Sequence, residues 1–136
     1  MLSAPVEGDL VLARTLASTL PESRPGLFNP YASQCDCATA LNTPESRLKR
    51  LAFHLDCEAE LLLLGEAVGF RGARYSGITF TSEKQLMTGA IPRIPLVQHR
   101  LSQRDLPFSE PSATIVWRTL YELGLTERTV LWNALQ

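Results

Sequence analysis

The sequence predicts an α/β fold, a three-layer α/β/α sandwich built on a short parallel sheet. Three observations predict it. Residues 60–64 and 129–133 are short, largely apolar runs of the kind a parallel sheet buries. A helical stretch at 112–123 lies between them, which makes a strand–helix–strand unit expected to be right-handed. The first run empties into a glycine-rich loop, residues 65–82, and open α/β sheets build ligand sites in such loops at the carboxyl ends of their strands.

In chain order, residues 9–20 carry Leu10, Ala13, Leu16, Ala17 and Leu20 at helical spacing, with Asp9 near the start and Pro21 as a stop. Residues 21–44 hold Pro21, Pro25, Gly26, Asn29, Pro30 and Pro44 and read as loop. Thr43 then caps a second helix with Pro44 at its first position. Its apolar stripe is Leu48, Leu51, Ala52 and Leu55, with Lys49 and Arg50 expected to face away. Residues 60–64 form a buried strand, and Ser82 caps a short helix over 82–87. Residues 88–110, with Pro92, Pro95 and Pro107, are irregular. The 112–123 helix presents Val116, Leu120 and Leu123 and ends at Gly124. Residues 129–133 form the second strand. Two strands are few for a covered sheet, so the sheet is expected to lack C-terminal strands.

At 136 residues, 45% hydrophobic and 20% charged, the chain reads as one soluble globular domain, residues 1–136. No apolar run approaches a membrane span, the start lacks a secretory pattern, and three cysteines suit a reducing compartment; a cytoplasmic location is expected. Net charge is −1, but residues 71–104 hold six bases against one acid, Glu83. Such a basic patch on an acidic body can meet phosphates without making the protein basic; a solvated loop with scattered arginines is the equal alternative.

Two nucleotide motifs are excluded. Gly65, Gly69 and Gly72 do not fall as G-x-G-x-x-G, and Ile78 stands where a P-loop needs lysine. Cys35, Cys37 and Cys57 lack C-x-x-C spacing and read mainly as ordinary thiols; neither a metal nor a cofactor is expected. His54, beside an apolar stripe, reads as structural, and His99 lies in the basic loop. Glu66 and Asn133 each end a strand, so in a parallel sheet they share a rim. With Phe80 they offer a carboxylate, a planar amide and an aromatic face. An amide with one acceptor and two donors can read the edge of a planar base.

Gly65-Glu-Ala-Val-Gly-Phe, Gly77-Ile-Thr-Phe80-Thr, Glu110-Pro-Ser-Ala and Leu131-Trp-Asn133-Ala, in this order, resemble the uracil-DNA glycosylase superfamily, in particular branches whose first motif reads G-E-A-P-G. Asn29-Pro30-Tyr31 matches the segment that precedes that motif, and the likeness spans roughly residues 28–136. The resemblance implies a DNA repair enzyme that flips uracil or a related deaminated base out of DNA and hydrolyses its N-glycosidic bond. Phe80 would stack on the base and Asn133 would bind its edge, with Gly65 and Ala67 lining the same pocket. Glu66 would orient water or stabilise the sugar cation. Pro111 and Ser112 match the loop that presses on the DNA backbone, and Arg71 and Arg74 are candidate phosphate contacts. Val68 replaces the usual proline, and Ala67 stands where many branches place a water-activating residue. The second family motif, with its histidine, is absent. The resemblance therefore implies the N-terminal part of such a domain, its exposed sheet edge covered by a second copy or another partner. The alternatives are a truncated or non-catalytic relative that keeps the pocket without turnover, and an unrelated module for a small anion.

Overall fold

The computed structural model describes residues 7–134. It is a small α/β fold of five helices, α1 (Glu7–Ser18), α2 (Pro44–Leu55), α3 (Ala73–Ser76), α4 (Glu83–Met87) and α5 (Pro111–Leu123), with strands β1 (Leu61–Gly65) and β2 (Thr129–Asn133). A 3-10 turn, Thr126–Arg128, leads into β2. The strands pair in parallel, Leu61 opposite Thr129 through Gly65 opposite Asn133, so both carboxyl ends meet at one rim. None of the described helices is long and apolar enough to cross a membrane.

Local signals set most element ends. The Thr43 hydroxyl accepts the Ser46 amide at 3.1 Å, and Pro44 opens α2. Ser82 and Gln85 form a reciprocal capping box on α4, which satisfies two amides the helix start would otherwise orphan. Gly124, in the left-handed conformation, ends α5. The segment between α4 and α5 is irregular, as its prolines imply.

The core forms around Leu51, Tyr75, Ile78, Leu86, Leu101, Trp117 and Leu131. The buried side of α5 is Ala113, Trp117 and Leu120, with Val116 half-buried beside it; of the expected stripe only Leu123 stays exposed, and the indole of Trp117 reaches the Thr81 hydroxyl. Two further expectations are corrected. Arg50 is buried rather than outward: it donates to Ser76 O at 2.7 Å, Tyr75 O at 3.1 Å and Asn42 Oδ1 at 2.6 Å. Its neighbour Arg47 likewise holds the carbonyls of Pro30, Asn42 and Ser33. Both guanidiniums satisfy carbonyls of the loop before α2 and of the end of α3, which is why α2 buries two cations one turn apart. The strand at 60–64 is not buried either. Leu62 and Leu64 are 55% and 60% exposed, because no described element packs over them.

The other edge of β2 is closed by side chains. His54 Nε2 accepts the Leu131 amide at 2.9 Å, and Arg93 donates to Thr129 O at 3.1 Å. His54 is the structural residue its position predicts; burial first, then the Arg93 charge, pushes its pKa down to about 3, against the opposing Leu131 bond.

Candidate functional site

The parallel register places Gly65 beside Asn133, and the chain then returns to bring Phe80 to the same point. A Cβ on Gly65 would lie 2.5 Å from Asn133 Oδ1, 3.2 Å from Phe80 Cζ and 3.2 Å from Thr79 Cγ2. Glycine is therefore required there by close approach of an amide and a ring, not by backbone freedom. Asn133 is only 2% exposed. A planar ligand reaches its amide only after the groups covering it draw back.

Phe80 is held in that position by its neighbours. Its backbone is left-handed, φ 51°, a conformation a bulky residue adopts only where its surroundings enforce it. Thr79 and Thr81, on either side, are buried. The Thr81 hydroxyl donates to Thr79 O and accepts the Trp117 indole N–H at 2.9 Å, and Ser76 Oγ donates to the carbonyls of Ile78 and Thr81. α5 thus locks the loop that presents the ring. Gln85 Nε2 donates to Ala113 O at 3.1 Å, which ties the start of α5 to α4 directly after that loop. Tyr31, from the Asn29-Pro30-Tyr31 segment, stacks at 10° on Trp132 with ring centres 6.2 Å apart. Its hydroxyl donates to Gly77 O.

Glu66 and Ala67 follow β1 and are exposed. Glu66 makes no hydrogen bond or ion pair among the described residues, so its carboxylate is available to solvent. Arg71 is exposed. Arg74 is more engaged: its guanidinium lies 4.5 Å from the Phe28 ring centre and 5.3 Å from that of Phe70, and Nε donates to Cys35 Sγ at 3.2 Å. Burial alone would raise the Cys35 thiol, but the Arg74 and Cys37 N–H bonds and the Tyr75 hydroxyl outweigh it and hold it below the usual thiol range. Pro111 and Ser112 form the exposed first turn of α5.

One residue at this site escaped the sequence reading of roles. Glu110, N-cap of α5, sends its carboxylate back onto the glycine loop. A Cβ on Gly72 would fall 1.9 Å from Oε2, and one on Gly69 3.1 Å from it. Ser112 Oγ donates to Oε1, while Oε2 is buried with no hydrogen-bond partner. The Gly69–Gly72 spacing was the signal: two side-chain-free positions three apart make a slot for a carboxylate.

The structure thus gathers Gly65, Phe80 and Asn133 at one point, with Glu66 and Ala67 at the end of the same strand. Pro111, Ser112 and Glu110 join them through the glycine loop. Among the described residues no three of His, Cys, Asp and Glu gather so as to hold a metal ion. No protein-family model, curated protein or solved structure matches the chain.

Proposed function

We propose that this chain is a DNA repair hydrolase of the uracil-DNA glycosylase kind, excising uracil or a related deaminated base. The observation that carries the reading is the convergence of the Asn133 amide and the Phe80 ring over Gly65 at the carboxyl ends of two parallel strands. An extruded base stacks on Phe80 and presents its polar edge to Asn133, whose acceptor and donors match uracil and mismatch cytosine. Glu66, at the strand end, accepts a hydrogen bond from a water aimed at the sugar. As the bond from base to C1′ breaks, the base leaves with the electron pair, and the water oxygen bonds to C1′. The proton released passes to solvent or to the departing base. Positive charge on the sugar in between is stabilised by the carboxylate. Ser112 at the start of α5, with Arg71 and Arg74, contacts the flanking phosphates.

A second reading, base binding without turnover, is favoured by the histidines. His54 is buried with Nε2 committed to the Leu131 amide, so it does not serve as a donor to the leaving base, and the side chains that converge on Gly65 at the rim are Asn133, Phe80 and Thr79, not His99. Losing one such donor typically costs about a hundredfold or more in rate. A uracil-containing oligonucleotide separates the two. Excision leaves alkali-labile sites that Asn133→Ala and Glu66→Ala abolish. The binding reading gives uracil-dependent affinity, lost in Asn133→Ala, and no cleavage. No uracil dependence in either assay removes both.

A further inference from the structure

Beside the rim lies a groove of about 530 Å³, walled by Arg24 and Phe28 on one side and by Ala67, Phe70 and Arg74 of the glycine loop on the other. That volume is in the range of small-ligand sites. Phe70 is 63% exposed, its ring meeting the Phe108 ring edge-on at 6.2 Å while most of its surface stays open to solvent. Arg74 spans the groove between Phe28 and Phe70. Four arginines elsewhere meet acids, Arg14 with Glu45, Arg93 with Glu127, Arg100 with Glu83 and Arg128 with Glu60, and Arg47 and Arg50 are spent on buried carbonyls. Among the described residues neither Arg24 nor Arg74 forms an ion pair, so the groove carries positive charge that the fold does not neutralise.

We infer that this groove holds single-stranded nucleic acid, one base against Phe70 and its phosphate against Arg24 and Arg74. Exposed aromatic faces interleaved with unneutralised cations are the two elements of sequence-tolerant single-strand binding. The groove begins at Ala67, one residue past Glu66, so a strand whose base enters the rim runs directly into it. In that role it takes the nucleotide flanking the extruded base, which rests on the function proposed above; the groove's affinity for a uracil-free strand does not.

The test is fluorescence anisotropy of a labelled eight-nucleotide oligothymidylate, with Phe70→Ala and Arg24→Ala as variants. Both side chains are peripheral, and circular dichroism checks that both variants stay folded. Each substitution is expected to weaken binding about tenfold. Arg24→Ala should also lower the slope of log affinity against log salt by about 0.7, the loss of one single-strand phosphate contact. Parent-like affinity in both variants overturns the inference. So does a parent chain that ignores the oligomer, or that binds thymidine monophosphate as tightly as the oligomer, which would mark a small-molecule pocket. Oligothymidylate binding that depends on Phe70 and Arg24, with no uracil dependence anywhere, would leave the groove standing and remove the glycosylase reading.

Discussion

Gly65 and Asn133 lie side by side as the last pair of the parallel ladder, so close that a methyl group on Gly65 would sit 2.5 Å from Asn133 Oδ1. An exposed amide could swing clear; this one is buried. Gly65→Ala should therefore displace the Asn133 head group by roughly an ångström and cost about 1–3 kcal/mol of stability as overpacking. Misplacement on that scale costs about a hundredfold in a positioned reaction. The expected result is a folded variant, by thermal denaturation, with kcat/KM on a uracil oligonucleotide down about a hundredfold. If turnover is absent, uracil-dependent affinity falls instead.

Phe80 separates backbone strain from ring chemistry. Its φ of 51° is open to glycine at no cost but disfavours any L side chain by about 1 kcal/mol. Phe80→Gly and Phe80→Ala both remove the ring, so both should lose base stacking equally. The glycine variant should nonetheless be the more stable by about 1 kcal/mol, read from urea midpoints at equal slope. Equal stabilities would mean that the left-handed backbone is not under strain.

Glu83 is the internal anchor of the segment before α5. Its buried carboxylate accepts from the amides of Leu101, Ser102 and Phe108, the Ser102 hydroxyl and Arg100 Nε, at 2.6–3.1 Å. Burial pushes its pKa up, but the Ser102 hydroxyl, the Phe108 and Ser102 amides and Arg100 together hold it below the ordinary carboxylate value of 4.5. A depressed folded pKa gives stability that is present above the unfolded value and lost as pH falls through the folded one. Glu83→Gln should cost about 3 kcal/mol at pH 7, since the amide nitrogen must face donors in a buried site. The variant should also show a flatter loss of stability below pH 4.5.

His54 acts in the same direction over a higher window. It is neutral in the fold, and the Leu131 amide places the accepting lone pair on Nε2. With its folded pKa near 3 against 6.5 unfolded, the unfolded chain binds the proton first. Stability should therefore fall as pH drops from about 6.5 toward 3. In His54→Leu that part of the slope should vanish. The baseline should drop by about 1–3 kcal/mol, because the Leu131 amide is left buried and unpaired. Denaturation at pH 7, 5.5 and 4 measures both effects.

What could be read from the sequence follows from how local each signal is. The caps at Thr43, Ser82 and Gly124 are written within three or four residues, and the structure has all three. β2 was legible from its bounds, and its register against β1 brings Asn133 to the rim with Gly65. Burial was less legible, because it depends on what packs against an element. Leu62 and Leu64 look like core residues and are exposed, while Arg50 looks like a surface residue and is buried against the Tyr75 and Ser76 carbonyls and the Asn42 side-chain oxygen. The position of Glu110 was hidden for the same reason. Its partners, Gly69 and Gly72, lie some forty residues upstream, and only the folded chain brings the carboxylate into their slot.

That slot makes a coupling measurable. Gly72→Ala alone puts a methyl group 1.9 Å from Glu110 Oε2 and expels the carboxylate, which also breaks its contact with the Ser112 hydroxyl. Glu110→Ala alone removes the carboxylate and leaves the slot empty. Together the two substitutions remove the clash and half-fill the space, so the double variant should be more stable than the sum of the single losses implies, by about 1 kcal/mol or more. Oε2 is buried without a partner, so Glu110→Ala by itself should cost little, or even stabilise. It should also free the Ser112 hydroxyl for a phosphate and tighten binding of uracil-containing DNA severalfold. A Gly72→Ala variant as costly in the Glu110→Ala background as in the parent would show that the glycine answers to the Thr81 carbonyl, 3.3 Å from the added methyl, and not to the carboxylate.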